Sequence, residues 1–178
     1  MKKFGGPAMF LDRNDINTDE IIPAKYLTEI TKTALQPHLL EDLLLDNRNF
    51  DNRSKEMENA RVVVSRANFG CGSSREHAVW AFEVNNIYVI IAESFARIFR
   101  QNMFNCGILA IELSGKEIDE ILLMPGNVSI QVDLENETLT AVSDAVDKSE
   151  LQFTFKLNSF DRDLVSAGGW LAYADSSY

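Results

Sequence analysis

Two cysteines, Cys71 and Cys106, and two histidines, His38 and His77, are all that 178 residues offer a metal ion apart from carboxylates. Neither cysteine belongs to a C-x-x-C pair and the four residues are scattered, so the chain carries no recognisable zinc ligand set. An iron–sulfur cluster needs three or four thiolates, which excludes one held by this chain alone. Basic residues are also short: 17 Lys and Arg against 27 Asp and Glu give a net charge of −10. No basic stripe is left to track a phosphate backbone, which argues against a nucleic-acid partner. So negative a surface also repels an anionic substrate, and any anion site must rely on local donors. No apolar run approaches the roughly 18 residues that span a bilayer. The basic start, Lys2-Lys3, runs into Gly5, Gly6 and Pro7 rather than the apolar core of a signal peptide. The expectation is a cytoplasmic protein. With 46% hydrophobic and 25% charged residues, it has the composition of an ordinary globular domain spanning residues 1–178.

What is present concentrates between residues 61 and 113. Val62, Val63 and Val64 mark a short buried strand over 61–65, and a helical stretch follows from Ala78 to Val84. Between them, Ala67-Asn68-Phe69-Gly70-Cys71-Gly72-Ser73-Ser74-Arg75-Glu76-His77 makes a strand-to-helix turn. Gly70 and Gly72 permit positive φ and close approach of a ligand to the main chain. Ser73 and Glu76 have the S-x-x-E spacing of a capping box, which predicts Ser73 at the N-cap of a helix over 74–84. The free N–H groups and positive dipole end of that helix would face an anion. Arg75 adds a two-pronged cation suited to a carboxylate. A capping box stabilises a helix whether or not anything binds there, and that is the plainer account. Against it, an arginine in a first helical turn sits at the unfavourable end of the dipole. Two serines and an arginine behind a Gly-x-Gly turn point to a small-anion site.

The pattern then repeats: a strand over 87–92, a helix from a Ser94 cap through Phe95, Ile98, Phe99 and Met103, and a strand over 108–113. Strand–helix–strand units of this kind imply parallel pairing with right-handed crossovers. Ligands in such sheets bind at the carboxyl ends of the strands, where the Gly-x-Gly turn falls. On the N-terminal side, residues 8–11 read as a strand and 12–19 as a loop, and Pro23 stops any regular continuation of Ile21-Ile22. Leu39, Leu40, Leu43 and Leu44 give a helical stripe over 37–45, with Pro37 near its start and His38 on its surface. Residues 46–59 read as a polar surface loop. On the C-terminal side, 115–123 is a short helix, and 128–134 with 138–142 form an antiparallel hairpin. Leu151, Phe153, Phe155 and Leu157 alternate as a half-buried strand, and a last helix over 160–167 stops at Gly168-Gly169. The sum is an α/β, barrel-like arrangement with no internal repeat.

Gly70-Cys71-Gly72-Ser73-Ser74-Arg75-Glu76-His77-Ala78 resembles the active-site loop of the aconitase superfamily's swivelling domain. Asn17-Thr18-Asp19-Glu20-Ile21-Ile22-Pro23-Ala24-Lys25-Tyr26-Leu27 is similar to that family's N-terminal signature. Ser94-Phe95-Ala96-Arg97-Ile98-Phe99-Arg100-Gln101-Asn102 agrees further on. As a free-standing chain of this length, the sequence is similar to the small subunits of the 3-isopropylmalate dehydratases. The resemblance implies the β/β/α swivelling fold of the aconitase C-terminal type.

It also implies a reaction: dehydration and rehydration that move a hydroxyl to the neighbouring carbon of a malate-type acid, interconverting 3- and 2-isopropylmalate in leucine biosynthesis. Citramalate, 2,3-dimethylmalate and homoaconitate are alternative substrates of the same machinery, and a non-catalytic anion-binding module is a rival of another class. The chemistry needs a Lewis acid, a base and carboxylate anchors. By the resemblance, the Lewis acid is a 4Fe–4S cluster on a large partner subunit, with no cofactor bound by this chain. Ser73 matches the serine base, acting as alkoxide. Asp19 matches a supporting catalytic position, although an Asp capping the turn before Ile21-Ile22-Pro23 reads equally well. Ser74 and Arg75 match carboxylate-binding positions, with Gly70, Gly72, Glu76 and His77 supporting the turn. His77 is expected to hold Glu76, Asp19 or backbone. Leu27 and Thr28 match the segment facing the γ-carbon substituent. Relatives that take a further carboxylate carry an arginine where this chain has Thr28, so an apolar substituent is expected here, Lys25 being a nearby flexible amine. Two readings from local chemistry are set aside. A Cys71–His77 hydrolase would not need the Ser-Ser-Arg run, and the G-x-x-x-x-G-K-[ST] phosphate loop is absent.

Overall fold

The computed structural model describes residues 2–177. Its first strand, β1 (Gly5–Leu11), leads through α1 (Thr18–Ile21) and two 3-10 segments, Ala24–Tyr26 and Lys32–His38. A small hairpin of β2 (Leu44–Leu45) and β3 (Arg48–Asn49) and the short helix α2 (Lys55–Asn59) complete this first connection. Alternation follows: β4 (Val62–Ser65), α3 (His77–Glu83), β5 (Val89–Ala92), α4 (Arg97–Asn105), β6 (Leu109–Glu112) and α5 (Gly115–Leu122). A meander of β7 (Val128–Asp133), β8 (Thr138–Ser143) and β9 (Glu150–Thr154) and two helices, α6 (Ser159–Ala167) and α7 (Trp170–Ser177), close the chain.

Seven strands form one sheet in the order β6-β5-β4-β1-β7-β8-β9. The sheet is a curled half-barrel, so the barrel-like α/β class read from the sequence holds. β1 is the seam. Its C-terminal part pairs parallel with β4, from Ala8 opposite Val62 to Leu11 opposite Ser65. Its N-terminal part pairs antiparallel with β7, Gly5 opposite Gln131. β4 and β5 are buried at every position, as parallel strands covered on both faces must be. Among the described residues, no helix is long and apolar enough to cross a membrane.

The stretch between β1 and β4 departs from the sequence reading. No helix spans 37–45: Pro37 lies inside a 3-10 segment that ends at His38. Leu39, Leu40 and Leu43 are buried, but in a turn that pairs with other parts of the fold. The Leu40 N–H donates to Ile21 O at 2.8 Å, with Leu40 itself at φ 61°. Tertiary pairing has outweighed a helical stripe. His38 is more than a surface residue: its ring stacks on Tyr26 at 3.8 Å and Nδ1 lies 2.9 Å from Glu41. Residues 46–59 hold part of the hairpin and α2, which Ser54 caps by accepting from Met57 N–H. The loop read over 12–19 ends in α1, whose Asn17 and Glu20 form a capping box. α7 was not anticipated at all.

Candidate active site

β1, β4 and β5 run parallel, so the segments that leave their carboxyl ends emerge on one edge of the sheet. Main-chain bonds fasten the first two side by side. Asp15 N–H donates to Ala67 O at 2.9 Å, Gly70 N–H to Ile16 O at 2.8 Å and Thr18 N–H to Cys71 O at 2.8 Å. Ser73 N–H completes the ladder by donating to Thr18 Oγ1 at 2.9 Å. The third segment joins from the other side: Phe69 N–H donates to Ser94 O at 3.0 Å, Ala96 N–H to Phe69 O at 2.9 Å, and Asn68 N–H to Ser94 Oγ at 2.8 Å. Ser94 therefore serves the glycine turn, and α4 begins at Arg97 with Ala96 at its cap, correcting the expected Ser94 cap.

Phe69 pins this turn to the core. It is fully buried, and its ring meets those of Phe82, Phe95 and Phe99 at centroid distances of 5.7–6.2 Å. Gly70 follows at φ 82°, and a Cβ there would fall 2.2 Å from the Phe99 ring. Gly72, at φ 106°, lies close enough to Thr18 that a Cβ would meet its Oγ1 at 3.1 Å. Both glycines meet a steric and conformational requirement at once.

Ser73 is not a helix cap. α3 starts four residues later at His77, behind Glu76, which makes no side-chain capping bond. Ser73 Oγ instead accepts from Arg75 N–H at 3.2 Å, closing a tight turn. The bond to Thr18 and the left-handed Gly72 hold residues 72–75 outside the helix, which defeats the S-x-x-E signature. In place of the helix-end N–H groups expected there, one N–H of the turn itself reaches Ser73 Oγ.

The structure gathers Asp19, Leu27, Ser73 and Arg75 around one crevice, together with Thr18, Ile22 and Ala78. The crevice is too tight to hold a water molecule. Arg75 is exposed and takes part in none of the eight ion pairs among the described residues. A guanidinium left without an internal carboxylate is free to fork onto an external one. Ser74 lies outside the crevice, exposed, with its carbonyl accepting from Asn102 Nδ2 of α4 at 3.1 Å. Thr28 is exposed beside Leu27. The turn before Ile21 is capped by Asn17, not Asp19, which stands exposed in the first turn of α1.

Arg13 and Glu20 brace the first segment with a two-pronged ion pair, and Arg13 also donates to Leu44 O at 2.8 Å. The Arg13 guanidinium holds the Glu20 carboxyl below the usual carboxylate range. Cys71 is the opposite case: burial first, and then the negative charges of Asp15 and Glu20, push its thiol upward. The geometry does not favour the Cys71–His77 hydrolase reading either: His77 Nε2 lies against Glu29 O and Nδ1 has no hydrogen-bond partner, so neither ring nitrogen is bonded to the thiol. Burial pushes Cys106 up to about 12. Among the described residues, no group of three or more Cys, His, Asp or Glu is placed to hold a metal ion.

Sequence reasoning missed Thr18 and Asn102. Both act on the backbone of the turn from distant segments, and nothing in local spacing announces that. Asn17 could have been found, since an Asn three residues before Glu20 and an apolar run is a helix-start signal.

Parallel strands whose carboxyl-end segments converge on a Gly-x-Gly-Ser-Ser-Arg turn define a class, and residues 2–116 match the aconitase C-terminal domain family. Among curated proteins, the 3-isopropylmalate dehydratase small subunits of Leptospira interrogans and Deinococcus deserti are 37% and 38% identical, over 90% of this chain and 81% of theirs. The crystal structure of 3-isopropylmalate dehydratase from Methanocaldococcus jannaschii superposes with a TM-score of 0.73 at 34% identity, over 97% of this chain and 93% of that one. The chain belongs to the family of 3-isopropylmalate dehydratase small subunits.

Proposed function

We propose that residues 1–178 act as one swivelling domain, the small subunit of a cytoplasmic hydro-lyase that interconverts 3- and 2-isopropylmalate in leucine biosynthesis. The convergence of Ser73, Arg75, Asp19 and Leu27 on one crevice, in a chain of this family, carries the reading. The Lewis acid for the departing hydroxyl is assigned to a 4Fe–4S cluster of a large partner subunit, since a cluster needs three or four thiolates and this chain has two scattered cysteines.

Four residues of this chain divide the work. Arg75 binds one substrate carboxylate bidentately, and the exposed Ser74 hydroxyl adds a donor beside it. Ser73 removes the C–H proton. Unaided, a serine hydroxyl is far too weak an acid to ionise near neutrality. The Arg75 N–H already directed at Ser73 Oγ favours the oxyanion, and the Arg75 charge and exclusion of water by the large subunit strengthen that preference. Asp19, beside them, orients the polar end of the substrate.

Leu27 and Thr28 face the γ-substituent. An unpaired carboxylate there costs several kcal/mol in desolvation, whereas an isopropyl group against Leu27 gains roughly 2 kcal/mol by burial. Lys25 is drawn over the Tyr26 ring, its Nζ 5.2 Å from the centroid, which favours keeping its charge on that aromatic face. The test is anaerobic co-purification with the large subunit, then comparison of isopropylmalate with homoaconitate in wild type and Thr28→Arg. The expected wild type prefers isopropylmalate, and Thr28→Arg shifts the ratio toward homoaconitate. A wild type that prefers the tricarboxylate contradicts the assignment.

A further inference from the structure

The span that carries Leu27 and Thr28 is suspended between two posts. At one end Tyr26 stacks on His38 and its hydroxyl reaches Glu41 at 3.3 Å. At the other, Lys32 pairs with Glu83 at 3.1 Å and lies over the Trp80 ring. Between the posts, residues 28–31 are all exposed, Ile30 by 92%. A local turn, Glu29 N–H to Tyr26 O at 3.1 Å, ties the span only to its own first post. Among the described residues, one hydrogen bond ties residues 27–31 to a distant part of the fold: Glu29 O lies 3.1 Å from His77 Nε2.

His77 is the first residue of α3 and follows directly on Arg75-Glu76. Its ring packs against Trp80 with centroids 4.6 Å apart. A carbonyl only accepts, so Nε2 must carry the proton in this contact. Nδ1 is buried without a hydrogen-bond partner, which leaves the Nε2 contact as the polar anchor of the ring. The imidazole thus joins the turn that carries Ser73 and Arg75 to the middle of the exposed span.

We propose that His77 is a positioning residue for substrate selection: its Nε2–H bond to Glu29 O holds the Leu27–Thr28 wall against the crevice. The inference rests on the reading that this wall faces the γ-substituent. Without the bond, the exposed residues 28–31 are held only through Leu27, half-buried against the core, and the post at Lys32. The wall that Leu27 and Thr28 present together then loses its definition. An isopropyl group, which needs that wall, suffers more than a methyl group.

Two measurements test this, one of them independent of substrate. Hydrogen exchange of residues 28–31 is measured in the full chain for wild type, His77→Phe and His77→Gln. Phe keeps a ring against Trp80 and removes the donor; Gln places an amide N–H near the reach of Nε2. His77→Phe is expected to speed exchange about 3- to 10-fold, the loss of one net hydrogen bond, and His77→Gln to restore protection. His77→Asn, whose amide reaches only the position of Nδ1, supplies the same loss should the Phe variant fold poorly. In the complex with the large subunit, kcat/KM for 2-isopropylmalate relative to citramalate should fall several-fold in His77→Phe, through KM, and recover in His77→Gln. Unchanged exchange in both His77→Phe and His77→Asn overturns the tether. A loosened span with an unchanged substrate ratio overturns the selecting role. A wild type that turns over neither acid defeats the substrate reading and the selecting role with it, while the exchange comparison still decides the tether.

Discussion

The two halves of the sheet bury their side chains differently. In β4 and β5 every residue is buried, whereas β8 alternates between half-buried and fully buried along its length. The difference follows from pairing. Parallel strands need helical crossovers that cover both faces, and their outgoing segments all emerge at one edge. Leu11 stands opposite Ser65, so the segments leaving β1 and β4 depart level with each other and can be laced together. A meander sends successive turns to opposite ends and gathers nothing. The residues assigned to chemistry accordingly lie on the parallel side, and β7–β9 close the sheet beyond the seam at β1.

The comparison would break first at Phe69. If the parallel side holds the site through its core, Phe69→Ala should cost about 3–5 kcal/mol. Leu151→Ala in the half-buried β9 should cost distinctly less. Urea unfolding of both variants checks the order, and equal losses would erase the contrast.

A smaller effect concerns charge. Glu20 in the native state is held below its ordinary pKa, so its stabilisation is complete above the unfolded value of about 4.3 and is lost as pH falls through the depressed native value. Arg13→Ala should therefore cost about 2 kcal/mol at pH 7. It should also flatten the decline in stability below about pH 5. In the meander, the side-chain bond from Asn136 lowers Asp133 in the same sense, but on a fully exposed carboxylate. Asn136→Ala should leave the acid limb unchanged. Thermal midpoints between pH 7 and 3 distinguish the two variants.

Both halves were legible in the sequence, for different reasons. Three consecutive valines marked β4, and the alternation of Leu151, Phe153 and Phe155 marked β9. The segment between β1 and β4 was not. Leu39, Leu40 and Leu43 are spaced like a helix, yet bonds such as Phe50 N–H to Leu43 O define a turn that no local pattern predicts. Four of the residues named from the sequence, Asp19, Leu27, Ser73 and Arg75, share one crevice, but the geometry that brings them there was not legible. The S-x-x-E spacing indicated a cap, and only the contact from Thr18 explains why Ser73 stands clear of the helix.

That displacement gives the base assignment a cleaner test than a capping serine would allow, since removing Ser73 Oγ removes no helix cap. In the complex with the large subunit, Ser73→Ala should lower kcat about 10²- to 10⁴-fold. Assembly and the apparent affinity for isopropylmalate should be retained. A near-normal kcat in a correctly assembled Ser73→Ala enzyme would contradict the account and leave Ser73 as a turn residue alone.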